Sequence, residues 1–186
     1  MALTETPPGE LGMLAPDFEL KGVDGRVWSR DEIMRSNGLL VAFICNHCPY
    51  VKGILDRFAD DMANILSLDI GVVAISSNDA DTYPADSYDK MIDFAAEGRF
   101  GFPYLYDDSQ DIAKAYGAVC TPDFFAFDGS GRLVWRGRLD EFGRNPRPDG
   151  GKAEMVEAMK QMVETGRAPE DQPASMGCSI KWKSAA

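Results

Sequence analysis

A C-x-x-C pair between an apolar strand and a helix is the feature that most constrains the fold of this chain. Residues 45–49 (CNHCP) follow the wholly apolar run at residues 39–44 (LLVAFI). Pro49 suits the first position of a helix, and apolar residues then recur at the helical period from Val51 to Ile65. Two thiols at this spacing lie within bonding distance when the first is in the turn and the second opens the helix. The pattern therefore favours a pair that cycles between dithiol and disulfide.

The position of Cys45 just before a helix predicts an acidic thiol. Unpaired N–H groups of the first helical turn stabilise a thiolate, and they lower a cysteine pKa from about 8.5 to roughly 3.5–7.5. We expect Cys45 to be the exposed, attacking sulfur and Cys48, one turn inward, to resolve the mixed disulfide. A protonated His47 between them would stabilise the reduced form and make the disulfide more oxidising. The alternative for His47 is a solvent-exposed side chain without a tuning role.

Strands and helices alternate along the chain as in an α/β fold. Apolar strands buried on both faces suit a central sheet with parallel crossovers, which helices cover on both sides. We expect one mixed sheet with an N-terminal β-hairpin extension. The predicted elements are a hairpin at residues 18–29, a helix at 30–36, strands at 39–44, 70–76 and 104–106, helices at 86–97 and 109–116, a hairpin at 124–139 and a last helix at 152–165.

The length, the net charge and the distribution of apolar residues limit the kinds of function that the chain can have. The chain has 186 residues, 45% of them apolar, and a net charge of −11, which argues against binding nucleic acid or anionic lipid. We expect one domain over residues 1–186, with a lead-in at 1–15 and a tail at 167–186. The first residues lack the pattern of a signal peptide, and no apolar stretch has the length of a membrane span. These features predict a cytoplasmic protein without a membrane partner.

A second clue is the Thr121-Pro122 dipeptide before a β-run. X-Pro bonds are the ones that adopt the cis form, chiefly in specified turns, although trans remains the general expectation. A cis bond would turn the Thr121 backbone outward, where a bound thiol substrate could pair with it.

The cysteines also admit metal interpretations. Cys45, Cys48, Cys120 and Cys178 could form a four-thiolate zinc cage, but a zinc ribbon would require a second C-x-x-C. Alternatively, Cys45, Cys48 and His47 could hold Cu(I), which prefers soft thiolates. The wide spacing of the other two cysteines favours the redox interpretation, and we expect neither a metal nor a cofactor.

Several segments together resemble the thioredoxin-like superfamily, and within it the redoxin branch of alkyl hydroperoxide reductase and thiol-specific antioxidant type. The resemblance implies a thioredoxin fold in which Cys45 is the nucleophile, Cys48 the resolving cysteine and Pro122 a cis proline facing them. Asn46, His47, Pro49 and Thr121 would support that site. The segments are residues 15–18 (APDF), 43–51 (FICNHCPYV), 116–122 (YGAVCTP), 127–137 (FDGSGRLVWRG) and 177–183 (GCSIKWK), the last resembling the ending of one redoxin subgroup.

Two departures from the family patterns bear on mechanism. Leu39 stands where thioredoxins carry a buried aspartate, so a different proton acceptor is needed. Peroxiredoxins carry P-x-x-x-T-x-x-C; aligned on Cys48, their proline falls on Val41 and their threonine on Cys45. A second thiol therefore replaces the hydroxyl that helps to bind peroxide.

Cys120 and Cys178 are possible auxiliary thiols. Cys120 lies two residues before Pro122, and in the resembled fold it would lie close to the C-x-x-C pair. Cys178 is in the tail, where its thiol could act as a resolving group or pair with Cys120. Both could instead be core residues, since free cysteine packs as a small hydrophobe.

The leading hypothesis is a thiol–disulfide oxidoreductase that works through a mixed disulfide of Cys45 and Cys48. One alternative is a thiol peroxidase in which Cys48 forms a sulfenic acid and Cys45 condenses with it; another is the metal-binding protein described above. The expected partners are a disulfide-containing protein or small molecule and a thiol electron donor. The residues do not indicate an oligomeric state.

Overall fold

A computed structural model describes residues 3–184, which form ten strands, five α-helices and a 3-10 turn at Pro84–Asp86. None of the helices in this described part is long and apolar enough to cross a membrane. The helices are α1 (Arg30–Ile33), α2 (Pro49–Leu66), α3 (Tyr88–Glu97), α4 (Asp111–Tyr116) and α5 (Glu154–Thr165). The strands are β1 (Leu3–Glu5), β2 (Glu19–Gly22), β3 (Val27–Ser29), β4 (Leu39–Phe43), β5 (Gly71–Ser76), β6 (Tyr104–Tyr106), β7 (Cys120–Thr121), β8 (Asp123–Phe127), β9 (Leu133–Trp135) and β10 (Met176–Ser179).

The main sheet has seven strands in the order β3-β2-β6-β5-β4-β8-β9. The pairs β4–β5 and β5–β6 are parallel, whereas β8 runs antiparallel to β4. The central strands β4, β5 and β8 are buried at every position, as their continuous apolar sequence predicts. The fold is thioredoxin-like, with a mixed central sheet between helices, and it confirms the predicted fold class.

Apolar side chains from the two faces of the sheet form two core clusters. Leu40, Ala42 and Ile44 belong to the cluster that includes α2 and α5. Leu39, Val41 and Phe43 belong to the cluster on the opposite face, which includes α4. Helix α2 begins at Pro49 and buries the stripe predicted from the sequence, namely Val51, Ile54, Phe58, Met62 and Ile65.

Most of the predicted elements are present, but four helices are shorter than expected. Helix α1 ends at Ile33 because the chain leaves helical geometry at Met34. Helices α3, α4 and α5 each begin two residues after the predicted start, at Tyr88, Asp111 and Glu154. The second hairpin is also shorter, since its second strand ends at Trp135.

A second, three-stranded sheet joins segments for which we expected no regular structure. β10 lies between β1, from the lead-in, and β7, the two residues before Pro122. Cys178 is opposite Leu3 on one side and Thr121 on the other. The tail is thus held by backbone pairing beside the site that the C-x-x-C motif predicts.

Candidate active site

Three chain segments meet at one edge of the main sheet. Phe43 is opposite Ile75 in the parallel pair β4–β5, so the carboxyl ends of both strands lie at this edge. β8 is antiparallel and begins at Asp123, also opposite Phe43, which brings the preceding peptide to the same edge. That peptide, Thr121–Pro122, is cis. The C-x-x-C turn after β4 therefore faces a cis proline.

Both predicted redox thiols contact Thr121. Cys45 Sγ lies 3.3 Å from Thr121 Oγ1, and Cys48 Sγ lies 3.1 Å from the Thr121 carbonyl oxygen. The two thiols lie close enough for each to shift the pKa of the other. All four cysteines are free thiols, so the structure represents the dithiol form of the pair.

Cys45 is not the exposed sulfur that the sequence predicts. Cys45 is 1% exposed and Cys48 is fully buried. Two features that lie close to the C-x-x-C turn cover the two thiols. The loop after β5 places Asp86 against the backbone of Asn46, and β10 lies along Thr121 on the other side.

The acidic thiol is Cys48, in contrast to the prediction for Cys45. The pKa of Cys48 is lowered to about 4, against the effect of burial, by the thiol of Cys45, the thiol of Cys178 and the backbone N–H groups of Val51 and Cys178. Cys48 is the N-cap of α2, so its sulfur lies near the positive end of the helix dipole, although its side chain makes no capping hydrogen bond. The Thr121 carbonyl opposes this shift, since it accepts a hydrogen bond from the thiol form alone. The donors around Cys48 outnumber that one acceptor.

The pKa of Cys45 is raised well above its usual value. The causes are the neighbouring thiol of Cys48, the burial of Cys45 and the nearby carboxylate of Asp86; the Thr121 hydroxyl acts in the opposite direction. Apart from the effect of the two thiols on each other, Cys45 faces a negative charge whereas Cys48 faces donors. The thiolate of the pair therefore belongs on Cys48.

Asp86 is a functional residue that the sequence analysis missed. Its side chain is completely buried and sits under the C-x-x-C turn. Oδ1 accepts from the backbone N–H groups of Asn46, at 2.8 Å, and His47, at 3.2 Å. Oδ2 accepts from His47 Nδ1 at 2.5 Å and from Asn78 Nδ2 at 2.8 Å. The carboxylate thus fixes the backbone of the turn and the orientation of the imidazole.

The pattern of strand ends could have indicated this carboxylate. Carboxyl ends of parallel strands share an edge, and ligands of open α/β sheets bind there. The polar run Ser77-Asn78-Asp79 follows β5 directly, and Asp86 follows it by only a few residues. Asp86 supplies a buried carboxylate near Cys45 from the 3-10 turn that follows β5, whereas thioredoxins carry theirs at the position of Leu39.

The two residues between the cysteines are both held in place. Asn46 donates from Nδ2 to the Ala85 carbonyl at 3.0 Å, and its Oδ1 accepts from the Tyr104 hydroxyl at 2.9 Å. The His47 side chain is 18% exposed and stacks on Tyr83, with an angle of 5° between the two ring planes. His47 therefore has fixed partners, unlike the free surface side chain considered as the alternative.

Asp86→Asn is expected to lower the free energy of unfolding by about 1–3 kcal/mol. An amide N–H₂ group then replaces one carboxylate oxygen and faces the two N–H donors that this oxygen had accepted from. Chemical denaturation of the reduced protein measures this loss. Asp89→Asn, a change of an exposed acid on α3, is the control and should stay within about 0.5 kcal/mol of wild type. Equal stability of the two variants would mean that Asp86 does not hold the turn.

One group in the described residues could hold a metal ion: Cys45, His47 and Asp86, whose ligand atoms lie within 4.8 Å of one another. Both carboxylate oxygens of Asp86 already accept two hydrogen bonds each, so a metal would have to displace His47 or Asn78. A cage of four cysteines is not among the candidate groups in that part of the chain.

The remaining predicted residues also lie at this site. Pro49 is the first residue of α2, next to the N-cap Cys48. Cys120 is buried on β7, and its thiol donates to the Pro122 carbonyl at 3.6 Å; burial raises its pKa, as expected of a core thiol. Cys178 is buried on β10, and its burial and the neighbouring Cys48 thiol raise its pKa. The structure thus brings Cys178, rather than Cys120, to the redox pair.

Comparison with known proteins decides the family. The sequence description of the AhpC/TSA family matches residues 11–136, which include the C-x-x-C turn and the cis proline. The chain belongs to the AhpC/TSA family. This membership supports a redox role for its cysteine thiols. A search of curated proteins found no match.

Two solved structures resemble this member of the AhpC/TSA family over its whole length. An uncharacterized conserved protein from Geobacillus kaustophilus is 41% identical, with a TM-score of 0.91, and the match covers 100% of this chain and 99% of that one. A hypothetical protein from Sinorhizobium meliloti 1021 is 38% identical, with a TM-score of 0.88, and the match covers 98% and 100%.

A more distant structure shares the fold alone. The solution structure of a putative protein disulfide isomerase from Bacteroides thetaiotaomicron is 19% identical, with a TM-score of 0.66, over 89% of this chain and 96% of that one. At such identity the likeness establishes the thioredoxin-like architecture and not the activity.

Proposed function

We propose that this AhpC/TSA protein is a thiol–disulfide oxidoreductase whose Cys45 and Cys48 cycle between dithiol and disulfide. The observation that carries the proposal is the pair of neighbouring thiols, both of which contact Thr121 of the cis Thr121–Pro122 peptide. Its thiolate lies at the amino end of α2. Its substrates are the disulfides of a protein or small molecule, and a thiol donor returns the pair to the dithiol. A reducing compartment such as the cytoplasm suits four free thiols.

The acidity of the thiols sets their roles, in the reverse of the sequence prediction. The Cys48 thiolate attacks a substrate disulfide, forms a mixed disulfide and releases one substrate thiolate. Cys45 then loses its proton and attacks Cys48 Sγ, which forms the Cys45–Cys48 bond and releases the second substrate thiolate. In our proposal the proton of Cys45 passes to the departing substrate thiolate, which leaves as a thiol, so the step balances without a further acid or base.

A cleft beside the cis proline supports a substrate with apolar side chains. Tyr50, Ile54, Pro122 and Met176 line it together with residues of the loop that follows β9. Pro122 forms part of its wall, so an extended segment lying there would pass close to the cis peptide that the two thiols contact.

A second candidate function is peroxide reduction. The observation that favours it is the acidic Cys48, which occupies the position aligned with the cysteine of peroxiredoxins that reacts with peroxide. Cys48 is also fully buried, which a small oxidant tolerates better than a protein substrate does. Its thiolate would be oxidised to a sulfenic acid, and Cys45 would condense with it, release water and form the same disulfide.

One pair of assays distinguishes the two functions, on a variant that carries both Cys45→Ser and Cys178→Ser, because the Cys178 thiol also lies close to Cys48 and would resolve the adduct. An oxidoreductase reduces a model disulfide, and the variant accumulates a mixed disulfide on Cys48. A peroxidase consumes hydrogen peroxide with a thiol donor, and the variant accumulates a sulfenic acid on Cys48 that dimedone traps. A wild-type protein that performs neither reaction, although folded, would contradict both proposals.

The Cys48 thiolate should persist far below neutral pH. Its pKa is lowered to about 4, so the thiolate is present above that pH and is lost as the pH falls through it, whereas an ordinary cysteine ionises near 8.5. The ultraviolet absorbance of the thiolate measures this titration in the reduced protein. The low-pH transition should vanish in Cys48→Ser and remain in Cys120→Ser. A midpoint near 8.5 would contradict the assignment.

A further inference from the structure

The carboxyl-terminal strand β10 occupies the place beside the cis proline where an extended substrate would pair. β10 is antiparallel to β7, with Cys178 opposite Thr121 and Ser179 opposite Cys120. An outward-facing backbone at Thr121 is an edge to which another strand can add through main-chain hydrogen bonds. In this chain, a segment of the protein itself already makes that pairing.

Close backbone packing fixes the register of β10 on the proline loop. A Cβ atom on Gly177 would lie 1.9 Å from the Thr121 carbonyl oxygen, so a larger residue would push the strand away. Ser175 Oγ donates to the Pro122 carbonyl at 2.7 Å. These contacts place Cys178, the residue after Gly177, opposite Thr121, which contacts both thiols of the pair.

Cys178 brings a third thiol to the pair. It is 5% exposed and shares one core cluster with Cys45 and Cys48. Its thiol and its backbone N–H lie close enough to Cys48 to lower the pKa of that thiol. Thr121, the partner of Cys178 across the strands, touches both Cys45 and Cys48. Cys48 therefore has a thiol neighbour on each side.

We propose that Cys178 is a third redox cysteine, an internal substrate thiol that exchanges with the Cys45–Cys48 disulfide to form a Cys48–Cys178 disulfide. This inference rests on the proposed dithiol–disulfide cycle. The Cys178 sulfur attacks Cys48 Sγ; the bond between Cys45 and Cys48 breaks, and the bond between Cys48 and Cys178 forms. The proton of Cys178 ends on Cys45, and the number of disulfides stays at one. The exchange therefore needs no further oxidant.

The exchange has a consequence for substrates. With Cys178 bonded to Cys48, β10 is covalently fixed along Thr121, and an external strand cannot take its place. A thiol donor that reduces this disulfide leaves β10 held by its backbone pairing alone. The tail thus protects the oxidised Cys48 and competes with substrates for the same edge.

Trypsin separates the C-x-x-C pair, Cys120 and Cys178 into three different peptides, so a disulfide between any two of these sites links two peptides. Cys45 and Cys48 share residues 36–52, Cys120 lies in residues 115–132 and Cys178 lies in residues 168–181. The full-length protein is oxidised with diamide, its remaining thiols are alkylated, and the non-reduced digest is analysed by mass spectrometry. We expect Cys45→Ser to give the link between peptides 36–52 and 168–181 in most molecules.

Matched variants assign that link. Cys45→Ser with Cys178→Ser should lose it, whereas Cys45→Ser with Cys120→Ser should keep it. The wild-type protein, oxidised to one disulfide per chain, should show the same link in a measurable fraction, so the test does not depend on the folding of a variant.

The two proposals fail in different ways. If wild type forms the disulfide within peptide 36–52 but neither wild type nor Cys45→Ser links that peptide to 168–181, the role of Cys178 is wrong and the dithiol cycle stands. If no disulfide forms within peptide 36–52, the proposed oxidoreductase is wrong. A predominant link to peptide 115–132 would overturn the choice of Cys178 in favour of Cys120.

Discussion

Cys48→Ser is expected to lower the rate of disulfide reduction by about 1,000-fold or more, the scale of losing a nucleophile. Cys48 is the sulfur at the amino end of α2 and carries the thiolate, with a pKa lowered to about 4. A serine hydroxyl at the same place stays protonated and cannot attack a disulfide. Turnover of a model disulfide with a thiol donor measures the loss.

Cys120→Ser is the matched control for this substitution. Cys120 is equally buried, and its thiol donates to the Pro122 carbonyl, a contact that a serine hydroxyl can reproduce. We expect this variant to keep most of the activity. If instead Cys48→Ser accumulates a mixed disulfide on Cys45, attack begins at Cys45, and the roles predicted from the sequence are correct.

The reversed acidity of the two thiols shows a limit of motif reasoning. The motif places two cysteines before a helix, but the acidic one is decided by the residue at which the helix begins. Here α2 begins at Pro49, so Cys48 is the N-cap and Cys45 lies a turn further out. The sequence already places Pro49 at the first helical position, so what it does not show are the groups that other segments bring to the two thiols. Cys45 then meets Asp86, a carboxylate from another segment.

Local patterns were sufficient for the main sheet and its helices. The apolar runs in β4 and β5 and the buried stripe of α2 follow directly from residue periodicity. The same patterns give no sign of β10, whose four residues (MGCS) lack a strand-like alternation. That strand exists because its backbone pairs with β1 and β7, a long-range contact that overrides local preference.

The Cys45–Cys48 couple is expected to be more oxidising than thioredoxin. With a pKa of about 4 for Cys48, the thiolate is favoured at pH 7 by about three pH units, or about 4 kcal/mol. For a two-electron couple this raises the potential by roughly 80 mV above the value of about −270 mV of thioredoxin, whose pKa is about 7. Equilibration with glutathione buffers, followed by alkylation of free thiols, measures it. A potential at or below that of thioredoxin would contradict the assigned acidity.

The pH dependence of this potential tests its cause. Between the low pKa of Cys48 and the raised pKa of Cys45, reduction adds two electrons but only one proton, which goes to Cys45. The potential should therefore fall by about 30 mV per pH unit near neutrality, half the slope of an ordinary dithiol. Cys178→Ala removes one donor to Cys48 and should lower the potential, whereas Cys120→Ala should not. A slope near 60 mV in the wild-type protein would show that Cys48 is protonated at neutral pH, because both sulfurs would then take up a proton on reduction.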